Sequence, residues 1–471
     1  MHVRKKSLWL IIALIAATSA ALVLGNRTPI SATPHPIDTS DDVVQLSTRL
    51  VQDKILIGSD GAFSMALDLA AAEIPHPSDQ PRQRVDLVVV LDRSGSMQGQ
   101  KLNDAREAII GMLGWLSPED RLALVVYDTT IQTVFPLTGL SETHRRDYAA
   151  VVGRITAGGG TNLGGGLQSG IDALMRFPAE GRQRKVILIS DGLANHGITD
   201  PAALGRMAMQ AAAQRIAVST VGVGYDFNES LMTALADHGT GRYHFLENPN
   251  AFAAVLGHEF QTAHDVAASG LEIRIPLKHG LKVTDAGGYP VRIEGQVAVI
   301  QPGDLLSAER RRIFLSLQIP ADKARQYTLD SVTLRYQHAG RPRTLVSGRR
   351  MRLACVADDN AVVASIDQAI WGSRVVQEDF GRLKESVADA IRKGEKGDAL
   401  RLIHEYETRT SAVNSSLKAP QVTENLAADV QVLRQGVEET FSGAPAAVAE
   451  KQKKSAKALQ YDAYQSRRAK K

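Results

Sequence analysis

The sequence predicts an α/β protein: a doubly wound, mostly parallel sheet, flanked by an antiparallel β-sandwich and followed by a C-terminal helical segment. Three observations carry this. Between Arg84 and Phe260, strand-length apolar runs alternate with helix-period stretches, the pattern of βαβ units. From Gly270 to about Cys355 the apolar period falls to two, as in antiparallel strands with one buried face. Beyond Val356 a spacing of three and four takes over, with no strand pattern between.

Taken in order, the chain opens on "MHVRKK" and an uncharged run, Leu8 to Leu24. A basic leader before a short apolar stretch is the arrangement of a signal peptide or a signal anchor, assigned to residues 1–25. The run is at the short edge of the ~20 residues that span a bilayer. Either form leaves the basic end cytoplasmic and exports the rest, giving a single-pass membrane protein or, after cleavage, a secreted one. Residues 26–44, rich in Pro, Ser, Thr and Asp, read as a linker. Residues 45–75 show strand alternation around a "GSDG" turn. Two strands do not make a stable sheet, so they are expected to complete the β-sandwich-like domain at 266–357, which makes the α/β domain at 82–262 an insertion.

Within that insertion the strands fall at Val85 to Leu91, Leu122 to Tyr127, Lys185 to Ile189, Ile216 to Val223 and Arg242 to Leu246, with "IQTVFPL" as a hairpin edge. Helical patterns lie at Leu102 to Leu116, Leu163 to Arg176, Pro201 to Gln214 and Glu229 to His238. Residues 360–443 form a helical segment of two or three helices. Residues 444–471 form a basic tail, read as a solvated extension.

Length and composition set limits. A chain of 471 residues is too long for one core. The net charge of +4 hides a mildly acidic body and a tail in which eight Lys or Arg from Lys451 onward face one acid. Nothing else in the chain supports nucleic-acid binding. The single cysteine, Cys355, allows no intrachain disulfide and reads as a small buried residue.

One feature of the α/β segment is chemical. The buried run "VDLVVVLD" ends at Asp92, and oxygens follow at Ser94 and Ser96. "ITAGGGTNLGGGL" places Thr161 between glycine clusters, and "VILISDGLANHG" places Asp191 directly after a strand. In an open α/β sheet, ligands bind outside the carboxyl ends of the strands, where these three loops lie. Each residue has a local alternative: Ser94, Ser96 and Thr161 as helix caps, Asp191 as the opening of a turn. Together, five hard oxygens without His or Cys suit Mg²⁺ or Mn²⁺. Two carboxylates leave a divalent ion near neutral, and an incoming Glu or Asp from a protein partner is the natural last ligand.

The motifs "DRSGSM", "GGGTNL" and "SDGLAN" resemble those of a von Willebrand factor type A domain with a metal-ion-dependent adhesion site, over Arg84 to about Phe260. The resemblance implies that Ser94, Ser96 and Thr161 bind the ion directly, with Asp92 and Asp191 acting partly through water. The flanking β segments resemble those of exported, membrane-anchored bacterial proteins of this kind. Enzymatic alternatives find little in the chain. His258 and His264 of "HEFQTAH" are six apart, not the i, i+4 of a zinc protease helix, and "HEYE" at His404 lacks a second histidine. No "GKS" or "GKT" follows the glycines of 158–166. No catalytic residue is assigned. The expected function is metal-dependent binding of a protein partner. The alternative is an assembly or chaperone-like factor whose helical segment and basic tail make the main contact, with the metal site regulatory.

Overall fold

The computed structural model describes residues 39–74, 84–177, 181–247, 252–348, 350–374, 378–417 and 420–468, the side chains of 412–426 excepted. The expected signal segment, 1–25, and residues 26–38 of the expected linker lie outside the described residues. Among the described residues, no helix is long and apolar enough to cross a membrane.

The first of the described residues form four strands, β1 (Thr39–Ser40), β2 (Val44–Leu50), β3 (Lys54–Leu56) and β4 (Ala62–Ala71). Here the linker assignment of 26–44 is corrected at its end. Thr39 and Ser40 pair with β2, and Asp41 accepts the backbone N–H groups of Val43 and Val44 and the Tyr336 hydroxyl, so this stretch is fastened by hydrogen bonds.

After Arg84 come the elements of the α/β domain: β5 (Arg84–Asp92), α1 (Gln100–Met112), β6 (Arg121–Tyr127), β7 (Ile131–Gly139), α2 (Glu142–Gly153), α3 (Leu163–Met175), β8 (Arg182–Ser190), α4 (Pro201–Ala213), β9 (Ile216–Val223), α5 (Glu229–His238), β10 (Thr240–Leu246) and α6 (Phe252–His264). The sheet order is β10-β9-β8-β5-β6-β7, parallel except for β7, which pairs antiparallel with β6. Because β5 is central, both its faces are buried, which is why it reads as an unbroken branched apolar run. Val85, Leu87, Val89 and Leu91 pack under α1, α2 and α6, while Val88 and Val90 pack under α3, α4 and α5. The helix α2 was not anticipated. Its sequence, "ETHRRDYAAVVG", buries only Tyr148 and Val152, too narrow a stripe to stand out as periodic, and Ser141 caps its start.

The chain then returns to β structure with β11 (Val266–Pro276), β12 (Lys282–Asp285), β13 (Val291–Glu294), β14 (Val297–Ile300), β15 (Leu305–Leu306), β16 (Arg310–Gln318), β17 (Arg325–Leu329), β18 (Thr333–His338), β19 (Arg341–Val346) and β20 (Met351–Val356). One sheet runs β1-β2-β4-β16-β12, with β4 in register against β16 from Ala62↔Gln318 to Ala70↔Arg310. A second runs β13-β14-β11-β18-β19, and a small third runs β17-β20-β3. Phe63, Met65, Leu67 and Leu69 share one core with Ile273, Ile300, Ile313 and Leu334. Residues from before and after the α/β domain therefore build a single β-domain. Cys355 is buried in it.

The C-terminal segment differs from the expectation of two or three helices and a solvated tail. Asp359–Ala364 (α7), Gln368–Arg374 (α8), Phe380–Lys393 (α9), Lys396–Leu417 (α10) and Pro420–Thr440 (α11) are helical, and the basic tail is itself a 23-residue helix, α12 (Pro445–Arg467). It packs along α9 and against the α/β domain. Tyr464 stacks edge-on to Tyr243 and accepts the Tyr243 backbone N–H through its hydroxyl at 3.0 Å. Lys457 lies 3.7 Å over the Phe227 ring, donates to the Phe227 carbonyl and stands 3.6 Å from Glu229. Lys453 pairs with Asp226, Lys454 with Glu247 and Arg468 with Asp237. Four of the cations that looked like a solvated run, Lys453, Lys454, Lys457 and Arg468, face acids of the α/β domain.

Candidate metal centre

The carboxyl ends of β5 and β8, with the loop before α3, bring Asp92, Ser94, Ser96, Thr161 and Asp191 to one place. Asp92 is the last residue of β5 and is fully buried. Its carboxylate accepts the Ser94 backbone N–H at 2.8 Å and the Ser190 hydroxyl at 2.7 Å. Burial raises its pKa against these hydrogen bonds, and the neighbouring charge of Asp191 pushes the same way. Asp191, also fully buried, accepts the Ser96 hydroxyl at 2.7 Å, and the Ser96 and Ser94 hydroxyls are 3.1 Å apart. A Cβ at Gly192 would stand 3.4 Å from both the Ser96 and Thr161 hydroxyls, which places Thr161 on the same cluster.

The local alternatives for these residues do not account for them. Ser94 begins a single 3-10 turn at Gly95–Met97, with no side-chain capping bond. The residue capping α3 is Asn162, whose side chain accepts from Gly165, so Thr161 is released from that duty. Ser96 spends its hydroxyl on Asp191 rather than on a helix end.

Three loops are held together tightly enough to fix this cluster. The Thr161 backbone N–H donates to Asn195 Oδ1 at 2.8 Å, and its carbonyl accepts the backbone N–H groups of Asn195 and His196. The Gly95 N–H reaches the Gly159 carbonyl, the Gly158 N–H reaches that of Arg93, and Arg93 pairs with Asp128 at 3.0 Å. Gly159 has φ +76°, a backbone state that disfavours side chains, and a Cβ at Gly160 would meet the His196 ring at 2.7 Å. The glycines let the loops approach.

Lys101 is a residue that motif reading missed. Its ammonium pairs with the second oxygen of Asp191 and lies 3.4 Å from the Ser96 carbonyl. A faint signal was present: a lysine in the first turn of α1 opposes the helix dipole, which suggests employment elsewhere. Two buried carboxylates thus stand among one ammonium and the hydroxyls of Ser94, Ser96, Thr161 and Ser190, a set of net charge −1 that is rich in hard oxygen and that a divalent ion with one further carboxylate would bring to neutrality. That is a fit to a small divalent ion. Among the described residues no cluster of three or more His, Cys, Asp or Glu is placed to hold a metal, so an ion here depends on the hydroxyls.

The histidines of "HEFQTAH" have other partners. His258 faces Arg242 at 2.9 Å, and His264 stands 3.6 Å from Asp120. Glu259 is buried among Lys185, Ser219 and His244 at 2.6–2.8 Å. Burial alone would raise its pKa, but Lys185 and His244 hold it well below the usual range.

Comparison with known proteins bears on the domain and its fold. A model of the von Willebrand factor type A domain matches residues 86–258. An uncharacterized protein of Synechocystis is 26% identical over 300 residues, 61% of this chain and 69% of that one. Inter-alpha-trypsin inhibitor heavy chain H4 of Homo sapiens is 32% identical over 165 residues, 33% of this chain and only 17% of the relative. The chain also spans a third or less of two further relatives, YfbK of Escherichia coli and an inter-alpha-trypsin inhibitor heavy chain H1 of Mesocricetus auratus. A structure described as von Willebrand factor type A from Catenulispora acidiphila superposes with a TM-score of 0.66 at 16% identity, covering 90% of this chain and 97% of that one, which shows the fold. Residues 86–258 of this chain are a von Willebrand factor type A domain.

Proposed function

We propose that the protein is an exported, membrane-tethered module that binds a partner protein through a divalent-metal site at Asp92, Ser94, Ser96, Thr161 and Asp191. The observation that carries the reading is the clustering of the Ser94, Ser96 and Thr161 hydroxyls beside two buried carboxylates with a single ammonium as counter-charge. Mg²⁺ or Mn²⁺ would be held by the hydroxyls of Ser94, Ser96 and Thr161, with Asp92 and Asp191 supplying negative charge around it. When bound, the ion offers a Lewis-acidic position to an oxygen donor. The chain's own part is to fix these oxygens, through Ser190, Asn195 and the glycine loops, and to leave room for a Glu or Asp of the partner. Membership of a domain class that mediates protein–protein interaction supports a binding role over a catalytic one.

The alternative, in which the helical segment and basic tail make the main contact, gains no support, because Lys453, Lys454 and Lys457 are engaged within the chain. Export rests on the basic leader and uncharged run of Leu8 to Leu24. Partner capture from a membrane-associated extract, in Mg²⁺ and in chelator, tests the reading. Retention in Mg²⁺, release by chelator and poor substitution by Ca²⁺, which prefers more ligands at longer distance, are expected; indifference to all three would overturn it.

A further inference from the structure

We infer that the metal site is the polar centre of a docking surface whose partner carries a bulky apolar side chain next to its acidic residue. The inference rests on the metal reading above and goes on to specify the partner.

Three large apolar side chains are exposed around the site: Leu193 at 56%, Ile198 at 46% and Ile131 at 39%. Leu193 and Ile198 lie on the loop after β8 and Ile131 opens β7, and the two isoleucines stand against the start of α3. Leu193 follows Gly192, whose position touches the hydroxyls of Ser96 and Thr161. A Cβ at Gly164 would meet Ile198, and one at Gly165 would meet the end of Ile131 at 2.6 Å. Both isoleucines therefore sit within about one helical turn of Thr161. The other exposed large apolar residues of this domain, Trp115, Met175 and Phe177, follow or end α1 and α3 and so lie at the opposite end of the sheet.

Exposed apolar residues scattered singly need no explanation, but several rimming one polar centre mark an interaction site. The centre sets the sign of the partner. A divalent ion and the N-terminal end of α3 both favour an anion. The rim sets its neighbour. A segment with Asp or Glu beside Leu, Ile, Val, Met or Phe places its carboxylate on the ion and its apolar side chain against Leu193 and Ile198, whereas an acidic residue flanked by polar ones leaves that surface wet.

The test uses the full chain and three fluorescent hexapeptides with blocked ends: Gly-Gly-Glu-Leu-Gly-Gly, Gly-Gly-Glu-Ser-Gly-Gly and Gly-Gly-Gln-Leu-Gly-Gly. Binding is followed by anisotropy in Mg²⁺ and in chelator, with Mg²⁺ affinity measured separately by calorimetry. Exchanging Ser for Leu beside the Glu is expected to tighten binding about tenfold, or ~1.4 kcal/mol. That gain should shrink to under about twofold in Leu193→Ser and in Ile198→Ser, with Mg²⁺ affinity unchanged. The Gln peptide should not bind. Equal, Mg²⁺-dependent binding of the two Glu peptides overturns the apolar rim and leaves the metal site standing, as does failure of both peptides to bind a chain that takes up Mg²⁺. Absence of Mg²⁺ binding overturns both readings together. Loss of the gain accompanied by loss of Mg²⁺ affinity in both variants also counts against the rim.

Discussion

Replacing Asp92 by Asn should stabilise the metal-free protein and abolish its response to Mg²⁺. The Asp92 carboxylate is fully buried, lies near a second buried carboxylate, Asp191, and shares with it a single ammonium, Lys101, which sits on Asp191. Asparagine has the same shape. Its Oδ1 keeps the 2.8 Å bond from the Ser94 backbone, and the Ser190 hydroxyl, now 2.7 Å from Asp92, can turn to accept from the new amide. The exchange removes one poorly compensated buried charge at little cost in hydrogen bonds, a gain of about 1–2 kcal/mol in chelator. In the unaltered protein, Mg²⁺ at a hundredfold excess over its Kd adds about 2.7 kcal/mol by mass action, or roughly 5–10 °C in the melting transition of a domain this size. Thermal melts followed by circular dichroism, with and without Mg²⁺, read both effects. Asp92→Asn should melt higher in chelator and show no Mg²⁺ increment. A retained increment would refute the site, and a lower melting point in chelator would refute the charge argument.

Thr161→Ala removes one hydroxyl while sparing the backbone bonds that tie residue 161 to Asn195 and His196; calorimetry should show Mg²⁺ affinity reduced about tenfold or more with the melting point in chelator within about 1 °C. Glu229, buried against Tyr243 and Lys457, has its pKa raised to about 7, with burial as the main cause. A raised carboxyl pKa means the folded state holds the proton that the unfolded state releases, so stability falls as pH rises from about 4.5 to about 7. Glu229→Gln should therefore stabilise more at pH 7.5 than at pH 4.5, by at most about 3 kcal/mol; denaturant titrations at the two pH values check this. Tyr464→Ala removes the ring stacked on Tyr243 and the acceptor of the Tyr243 N–H, which should cost about 3–5 kcal/mol and raise hydrogen exchange in α12 and β10 together. Independent behaviour of the two elements would show that α12 does not brace the domain.

The sequence by itself determined the α/β order and which five oxygen-bearing residues the fold gathers at the ligand edge of its sheet. The strands of a parallel sheet buried on both faces are continuous apolar runs, so "VDLVVVLD" and "VILISD" reveal where each ends, and oxygens placed there lie at the ligand edge of such a sheet. Asp92, Ser94, Ser96 and Asp191 are legible because each needs only its own strand end to be located, and Thr161 because it stands between two glycine clusters just before a helix. Other features depend on partners far along the chain. The basic tail looked solvated because its charges are visible in sequence and their acids, Asp226, Asp237 and Glu247, are more than 200 residues away. Its aromatic anchors, Tyr461 and Tyr464, stand near the end of a helix rich in charge and gain meaning only against Tyr243. Lys101 has many rotamers, and only the tertiary approach of the β8 loop selects the one that reaches Asp191. Leu193, Ile198 and Ile131 look like ordinary apolar residues in sequence; whether such a side chain is buried or left on a rim is decided by what packs over it, and burial is a property of the folded chain alone.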